Sequence, residues 1–221
     1  MEEKNIVKTI NEVLGITESY KATDKMLEII CNRELREKIM KKLLDIFDYD
    51  VSYDWFRIYF EQEQAERKTK KQDFTPQCLT ELINKLVGSS SINYDICCGT
   101  GGITITKWHQ DQQSKTVFDY QPSDYIYYCE ELSDRAIPFL LFNLAIRGMN
   151  AIVCHCDVLT RQCYGVWFVY NEKNDYLAFS TINLMPYNEA VEKEFRVKFI
   201  EQKYKTLVES MKPIIEVKNE V

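Results

Sequence analysis

The stretch Tyr94-Asp95-Ile96-Cys97-Cys98-Gly99-Thr100-Gly101-Gly102 decides the fold expected of this 221-residue chain. A short apolar strand, 92–97, ends where three glycines fall within four residues, and the whole chain has only seven glycines. An apolar segment, Ile103-Thr104-Ile105, follows the turn. Glycine lets a ligand approach the backbone closely, and a helix N-terminus attracts anions. The stretch therefore predicts a nucleotide-type binding turn; a tight strand-to-helix connection without a ligand is the alternative.

Two more apolar strands follow the turn at regular intervals. They are predicted over 125–129 and 151–154, and a helix closed by Gly148 is predicted between them over 133–147. Alternation of strand and helix is typical of parallel strands joined by crossover helices. The sequence thus predicts an α/β domain whose strands end at a common edge.

An acidic residue follows each of these two strands. Glu130 comes directly after the second strand, where a carboxylate can accept hydrogen bonds from ribose hydroxyls. Asp157 follows the third strand, where a carboxylate or a neighbouring amide can bind an adenine edge. Each residue alone is more simply a surface residue or a cap, but together with the turn they fit an adenosyl ligand.

The regions on either side of this α/β unit have different patterns of apolar residues. Apolar periodicity predicts helices in residues 1 to about 70: one closed by Gly15, one from Thr23 or Asp24 to Ile46, and one from about Ser52. Basic residues 67–71 indicate a solvated linker. After Asp157, two strands over 166–170 and 177–185 suggest a hairpin, and a final helix is predicted over 188–211.

Composition limits the compartment and the partners. The formal net charge is −6, which argues against strong DNA binding by the chain alone, because phosphate contacts need a basic surface. A protein partner or a homo-oligomer stays open. There is no secretion signal and no apolar run long enough to cross a bilayer, so we expect a cytoplasmic protein with reduced cysteines and no membrane partner.

A cluster of cysteines offers a competing hypothesis of a metal site. Five cysteines and a histidine fall at the ends of the three strands: Cys97, Cys98, Cys129, Cys154, Cys156 and His155. Zinc sites usually draw ligands two to four residues apart from two separate stretches, and this spacing differs from that pattern. Buried cysteines acting as small apolar residues are the commoner state, so no metal is expected.

The ordered motifs resemble those of the N6-adenine DNA methyltransferases, and most closely the modification subunits of type I restriction systems. The glycine turn resembles the family's Asp-Pro-x-Cys-Gly-Ser/Thr-Gly-Gly motif, with Ile96 in place of proline. Upstream, Phe74-Thr75-Pro76 resembles the family's Phe-Thr-Pro segment. Downstream, 127–130, 143–148 and 156–159 resemble its ribose-binding strand end, the helix end that follows, and its Gly-Asp-x-Leu segment.

This resemblance implies a Rossmann-like class I S-adenosylmethionine-dependent methyltransferase fold, truncated in its C-terminal half. Residues 1–71 would form an N-terminal helical region, and residues 72–221 would form the domain that binds S-adenosylmethionine. The resemblance implies these cofactor-binding residues: Phe74, Thr75, Pro76, Asp95, Cys97, Gly99, Thr100, Gly101, Gly102, Glu130 and Asp157.

The family's catalytic tetrapeptide, Asn/Asp-Pro-Pro-Tyr/Phe, is not present in the sequence. In the family it holds the amino group of a flipped adenine in line with the activated methyl group. The nearest segment is Asn183-Leu184-Met185-Pro186-Tyr187, so Asn183, Pro186 and Tyr187 are the candidate base-handling residues. Too few residues follow Asp157 for a complete methyltransferase sheet and a base-reading domain.

Two functions therefore fit the sequence, and a third is a further alternative. The chain is either a methyltransferase that modifies adenine in DNA, as in restriction-modification, or an inactive relative of a phage or mobile-element type. Such a relative would bind the cofactor and regulate or inhibit a partner such as a defence system. The third alternative is an interaction scaffold with an empty pocket.

Overall fold

The computed structural model describes residues 3–57, 59–60, 75–88 and 90–210. In these residues the α-helices are α1 (Glu3–Leu14), α2 (Ala22–Ile30), α3 (Arg33–Ile46), α4 (Gln77–Val87), α5 (Gly102–Gln113), α6 (Ile137–Ile146) and α7 (Glu189–Phe195). The strands are β1 (Ile92–Ile96), β2 (Ile126–Glu131), β3 (Ala151–Cys156), β4 (Gln162–Tyr170), β5 (Thr181–Leu184) and β6 (Lys198–Phe199).

The sheet is mixed, in the order β1-β2-β3-β4-β5, with β6 pairing on β4. The predicted parallel arrangement of the first three strands is confirmed, and α5 and α6 form the crossovers between them. β4 then turns back antiparallel to β3, and β5 is antiparallel to β4. The later strands thus extend the sheet beyond β3 and leave β1 as an edge.

One face of the sheet is covered by helices. Every residue of α6 is buried, because this apolar helix lies between the sheet and the N-terminal helices. Phe56 packs edge-on against Phe139 of α6, with ring centroids 4.9 Å apart. Residues of α1 to α3 share this apolar core with residues of β2 to β5. The N-terminal helical region therefore completes the same core as the sheet.

The opposite face is covered over only part of its width. α7 and β6 pack there against alternate residues of β3 and β4, including Ile152 and Phe168. At the β1 end the residues on this face, Ile92, Tyr94 and Ile96, are 43%, 72% and 63% exposed. The sheet is therefore covered on both faces at β3, whereas at β1 the face opposite the helices is exposed.

Two predicted helices differ from the structure. The predicted helix ending at Ile46 is two helices, α2 and α3, because Asn32 interrupts it: its side chain accepts a hydrogen bond from the Leu35 N–H, 3.1 Å away, and caps α3. The predicted final helix over 188–211 is wrong after α7. Arg196 adopts a left-handed conformation, and the chain continues as β6 and an irregular segment.

Candidate cofactor site

The glycine-rich turn lies at the carboxyl end of β1 and leads into α5. Three residues, Cys97, Gly99 and Gly101, have positive φ angles of 63°, 59° and 96°. The N–H groups of Cys97 and Cys98 donate to the Glu130 carbonyl oxygen at 2.7 and 3.2 Å, so β2 holds the start of the turn. These conformations direct the chain into a helix whose first N–H groups have no intrahelical partner.

The two last glycines of the turn serve different purposes. A Cβ atom on Gly101 would lie 2.9 Å from the Leu140 side chain, and its φ of 96° disfavours any other residue. Gly101 thus lets α5 pack on α6. A Cβ atom on Gly102 would meet nothing within 4 Å. The open space that a ligand could use therefore lies over Gly102, at the N-terminus of α5.

The carboxylate of Glu131, the last residue of β2, bonds to the backbone of the turn. Its Oε2 accepts from the Gly99 N–H at 2.7 Å, and its Oε1 accepts from the Ser133 N–H at 2.7 Å. Sequence reasoning assigned the ribose position to Glu130, because it ended the strand at Cys129. Since β2 runs on to Glu131, and alternate residues point to opposite faces, Glu131 faces the turn.

Glu130 faces the other side of the sheet and is held in an ion pair. Arg161, in the turn between β3 and β4, donates to both of its carboxylate oxygens at 2.6 and 3.0 Å. The same guanidinium donates to the carbonyl oxygens of Arg196 and Phe195 at 3.0 and 3.2 Å. The Glu130 hydrogen bond raises the pKa of Arg161. Glu130 therefore ties α7 to the carboxyl edge of the sheet.

Asp95 lies inside the strand-to-helix unit. Its Oδ2 accepts from the Thr104 hydroxyl at 2.6 Å, which joins β1 to the first turn of α5. Burial raises the pKa of Asp95, and the hydrogen bonds from Thr104 act in the opposite direction. The contacts of this carboxylate therefore orient α5 relative to β1.

Asp157 lies at the same edge of the sheet, directly after β3. Its Oδ1 accepts from the N–H groups of Leu159 and Thr160 at 2.8 and 3.3 Å, and these hydrogen bonds lower the pKa of Asp157. Asp157 thus shapes the turn into β4. Because β1, β2 and β3 are parallel, the glycine turn, Glu131 and Asp157 share one edge; the sequence predicts this common edge with Glu130 as the carboxylate of β2.

A buried polar network, which sequence reasoning missed, holds the turn from behind. The Thr100 hydroxyl donates to Asp54, and Asn143 Nδ2 donates to both Asp54 Oδ1 and the Thr100 carbonyl oxygen at 2.8 Å. Arg147 donates to the carbonyl oxygens of Val51, Tyr53 and Asn143. The one sequence signal was a pair of polar residues, Asn143 and Arg147, one turn apart in an otherwise apolar helix.

The network contains two charges that water does not reach. Burial raises the pKa of Asp54, although hydrogen bonds from Thr100 and Asn143 favour its ionised form. Burial lowers the pKa of Arg147 to about 10, and the charge of Asp54 opposes this change. Each charge therefore depends on the other, so the N-terminal segment and α6 are both needed to hold Thr100 in place.

The predicted base-handling residues lie away from the turn. Asn183 is in β5, four strands from β1, which at about 4.8 Å per strand is about 19 Å. Its Oδ1 accepts from the N–H groups of Glu209 and Ser210 at 2.8 and 3.0 Å. Pro186 and Tyr187 follow β5, and the Tyr187 hydroxyl donates to the Tyr164 carbonyl oxygen at 2.8 Å. The structure does not bring these three residues to the glycine turn.

The upstream segment is described only in part. Phe74 lies outside the described residues. Thr75 and Pro76 are exposed, and Pro76 stands at the N-cap of α4 with an extended ψ of 144°. Asn84 of α4 donates to the Ile103 carbonyl oxygen at 3.2 Å, so α4 is joined to the first turn of α5. α4 therefore lies beside the start of α5.

The cysteines are free thiols and lie on both faces of the sheet. Cys98 and Cys129 are buried under α5, while Cys154, Cys156 and Cys163 are buried on the α7 side. Cys97 is exposed in the turn. Within the described ranges, no group of three or more His, Cys, Asp or Glu side chains is placed to hold a metal ion. No described helix is long and apolar enough to cross a membrane.

The glycine-rich turn, Glu131 and Asp157 lie together at the carboxyl edge of the parallel strands of an α/β sheet. The family model described as N-6 DNA Methylase matches residues 32–208, and the chain belongs to this family. The family resemblance predicted from the motifs is thus confirmed. No curated protein and no solved structure matches the chain.

Proposed function

We propose that this protein binds S-adenosylmethionine at the turn formed by Gly99, Thr100, Gly101 and Gly102, in a Rossmann-like methyltransferase domain. The observation that carries the proposal is the junction of this turn with a helix N-terminus and a carboxylate: Glu131 Oε2 lies 2.7 Å from the Gly99 nitrogen. The family match supports this ligand, since S-adenosylmethionine is the methyl donor of the family.

The residues at the site fit the parts of this cofactor. The N-terminus of α5 and the open space over Gly102 suit the methionine carboxylate. Glu131, rather than Glu130, is the carboxylate on the side of the turn that can accept hydrogen bonds from ribose hydroxyls. Asp157 stands farther along the same edge, where an adenine base would lie. Bound cofactor would supply an activated methyl group at this edge.

Calorimetric titration of the protein with S-adenosylmethionine tests the proposal. We expect Glu131→Ala to weaken binding about tenfold to a hundredfold, as for loss of a hydrogen bond to a charged group. Glu130→Ala is the matched control, because its carboxylate contacts Arg161, and we expect unchanged affinity. Absence of binding by the wild type, or equal losses in both variants, would overturn the proposal.

A pair of glycine variants provides a second, independent test of where the cofactor binds. Gly102→Leu extends a side chain into the open space, where its Cβ atom meets nothing within 4 Å, so we expect a folded protein that has lost the cofactor. Gly101→Ala strains the backbone and presses on Leu140, so we expect a lower melting temperature. Full affinity in folded Gly102→Leu would show that the ligand lies elsewhere.

A second candidate function is cofactor binding without methyl transfer. The observation that favours it is the location of Asn183, which is buried in β5 and bonded to the chain at Glu209 and Ser210. Incubation with tritiated S-adenosylmethionine and mixed genomic DNA separates the two functions. Label in adenine that is lost in Asn183→Ala would support a methyltransferase. Cofactor binding without label in DNA would support a regulatory protein.

A further inference from the structure

An uncovered apolar surface runs along the β1 side of the molecule. On β1, Ile92, Tyr94 and Ile96 point away from the helical face, and Tyr94 is 72% exposed. α4 precedes β1 by four residues, 88–91, and its exposed side is the apolar one. Leu79, Leu82 and Leu86 are 47%, 51% and 78% exposed. We call these six residues the open-edge patch.

The orientation of α4 is the reverse of that in an ordinary surface helix. Its buried residues include the polar Thr80 and Asn84, and Asn84 bonds to the start of α5. A helix with a polar side inward and an apolar stripe outward leaves its hydrophobic surface in water. Exposed apolar side chains grouped on one side of an element in this way are typical of an interaction site.

The backbone of β1 is also unpaired on its outer side. The Ser91 carbonyl oxygen and the Cys97 N–H bond to β2. Since alternate residues of a strand direct their N–H and C=O groups to opposite sides, those of Ile92, Tyr94 and Ile96 point outward. Ser90 caps both groups of Ile92 through its hydroxyl. Among the described residues, no hydrogen bond is made to the outward groups of Tyr94 or Ile96.

We propose that the open-edge patch is the interface of a symmetric dimer, in which β1 pairs antiparallel with β1 of a second copy. A twofold axis at Tyr94 places Ile92 opposite Ile96 of the second copy. The outward groups of Tyr94 then pair directly, and those of Ile96 pair with Ile92 once the Ser90 hydroxyl releases it. On the other face, Asn93 lies opposite Asp95 of the second copy, an amide donor against a carboxylate. The surface is therefore its own complement, as an isologous interface requires.

The side chains select this register over its neighbours. An axis at Asp95 would place two half-buried carboxylates opposite each other, and like charges at opposed positions are destabilising. An axis at Asn93 would pair only two of the three outward residues. The same twofold axis runs the two α4 helices in opposite directions. The stripe of α4 is symmetric about its centre, so Leu79 would meet Leu86 of the second copy.

Sedimentation velocity over a hundredfold concentration series tests the proposal. We expect the wild type to have twice the mass of the 26.2-kDa chain. Tyr94→Lys places two ammonium groups across the axis and should give a monomer. Leu159→Lys is the matched control, because Leu159 is 91% exposed but lies beyond β3, and it should stay dimeric. A monomeric wild type, or a dimer that survives Tyr94→Lys, would overturn the proposal.

Amide hydrogen exchange distinguishes edge pairing from other contacts. In the wild type we expect slow exchange at the Tyr94 and Ile96 amides, and fast exchange in Tyr94→Lys, with the amides of β3 unchanged in both. A dimer with fast exchange at Tyr94 and Ile96 would show that the copies meet elsewhere. Protection that appears only when a different polypeptide is added would equally overturn the assignment to a second copy.

Discussion

β1 and β3 are strands of the same parallel unit, yet they differ completely in burial. All six residues of β3 are buried, because β2 and β4 flank it and both faces are covered. β1 alternates between exposed and half-buried residues, and within the described part of the chain it has a neighbouring strand on one side only. The contrast indicates that the stability of the fold resides on the β3 side. The β1 side leaves apolar side chains exposed.

The glycine turn is the exception on the β1 side, because buried polar groups hold it. Arg147→Ala would leave the carbonyl oxygens of Val51 and Tyr53 and the carboxylate of Asp54 without their cation. Removing one partner from a buried charge network costs about 3–5 kcal/mol. We expect a loss of this size in urea unfolding. A loss below about 1 kcal/mol would show that water replaces the guanidinium.

The contrast between the two sides can be tested with one residue type. Ile182 of β5 is fully buried, and Ile182→Ala should cost about 2–5 kcal/mol of unfolding free energy. Ile96 of β1 is 63% exposed, and Ile96→Ala should change the unfolding free energy of the monomer by less than about 0.5 kcal/mol. Urea titrations at low protein concentration, on the Tyr94→Lys background, measure both. Equal losses would refute the comparison.

His155 of β3 should make the stability fall with acid. The Tyr204 hydroxyl donates to its Nδ1 at 2.7 Å, its Nε2 lies 3.1 Å from the Leu132 carbonyl oxygen, and burial lowers the pKa of His155 to about 4. Between pH 6.5 and about 4, His155 is protonated in the unfolded chain but stays neutral in the folded protein. The free energy of unfolding therefore decreases as the pH falls through this window, by up to about 3 kcal/mol.

Urea unfolding at intervals between pH 7 and pH 4 measures this effect. His155→Gln should flatten the dependence relative to the wild type. His109→Gln is the control. His109 is half-buried on α5, and burial lowers its pKa without the large shift of His155. Parallel curves for the wild type and His155→Gln would show that His155 takes up its proton in the folded protein.

Local sequence predicted the central unit well. The strand, glycine turn and following helix need only nearby residues, because positive φ at Gly99 and Gly101 and the apolar periodicity of the elements are local properties. The carboxyl end of β2 is a feature that nearby residues do not determine. β2 ends two residues later than predicted, at Glu131 rather than Cys129, which adds a carboxylate on the side of the turn, and pairing with β3 sets this end.

The sequence by itself determined the family, the three parallel strands, and the turn on which the cofactor proposal rests. The tertiary structure decided that β4 and β5 extend the sheet beyond β3, which leaves β1 open and carries Asn183 away from the turn. It also decided that Asp54 and Arg147 hold the turn. Both outcomes depend on contacts between residues far apart in the chain, and no local pattern encodes which edge of a sheet a strand joins.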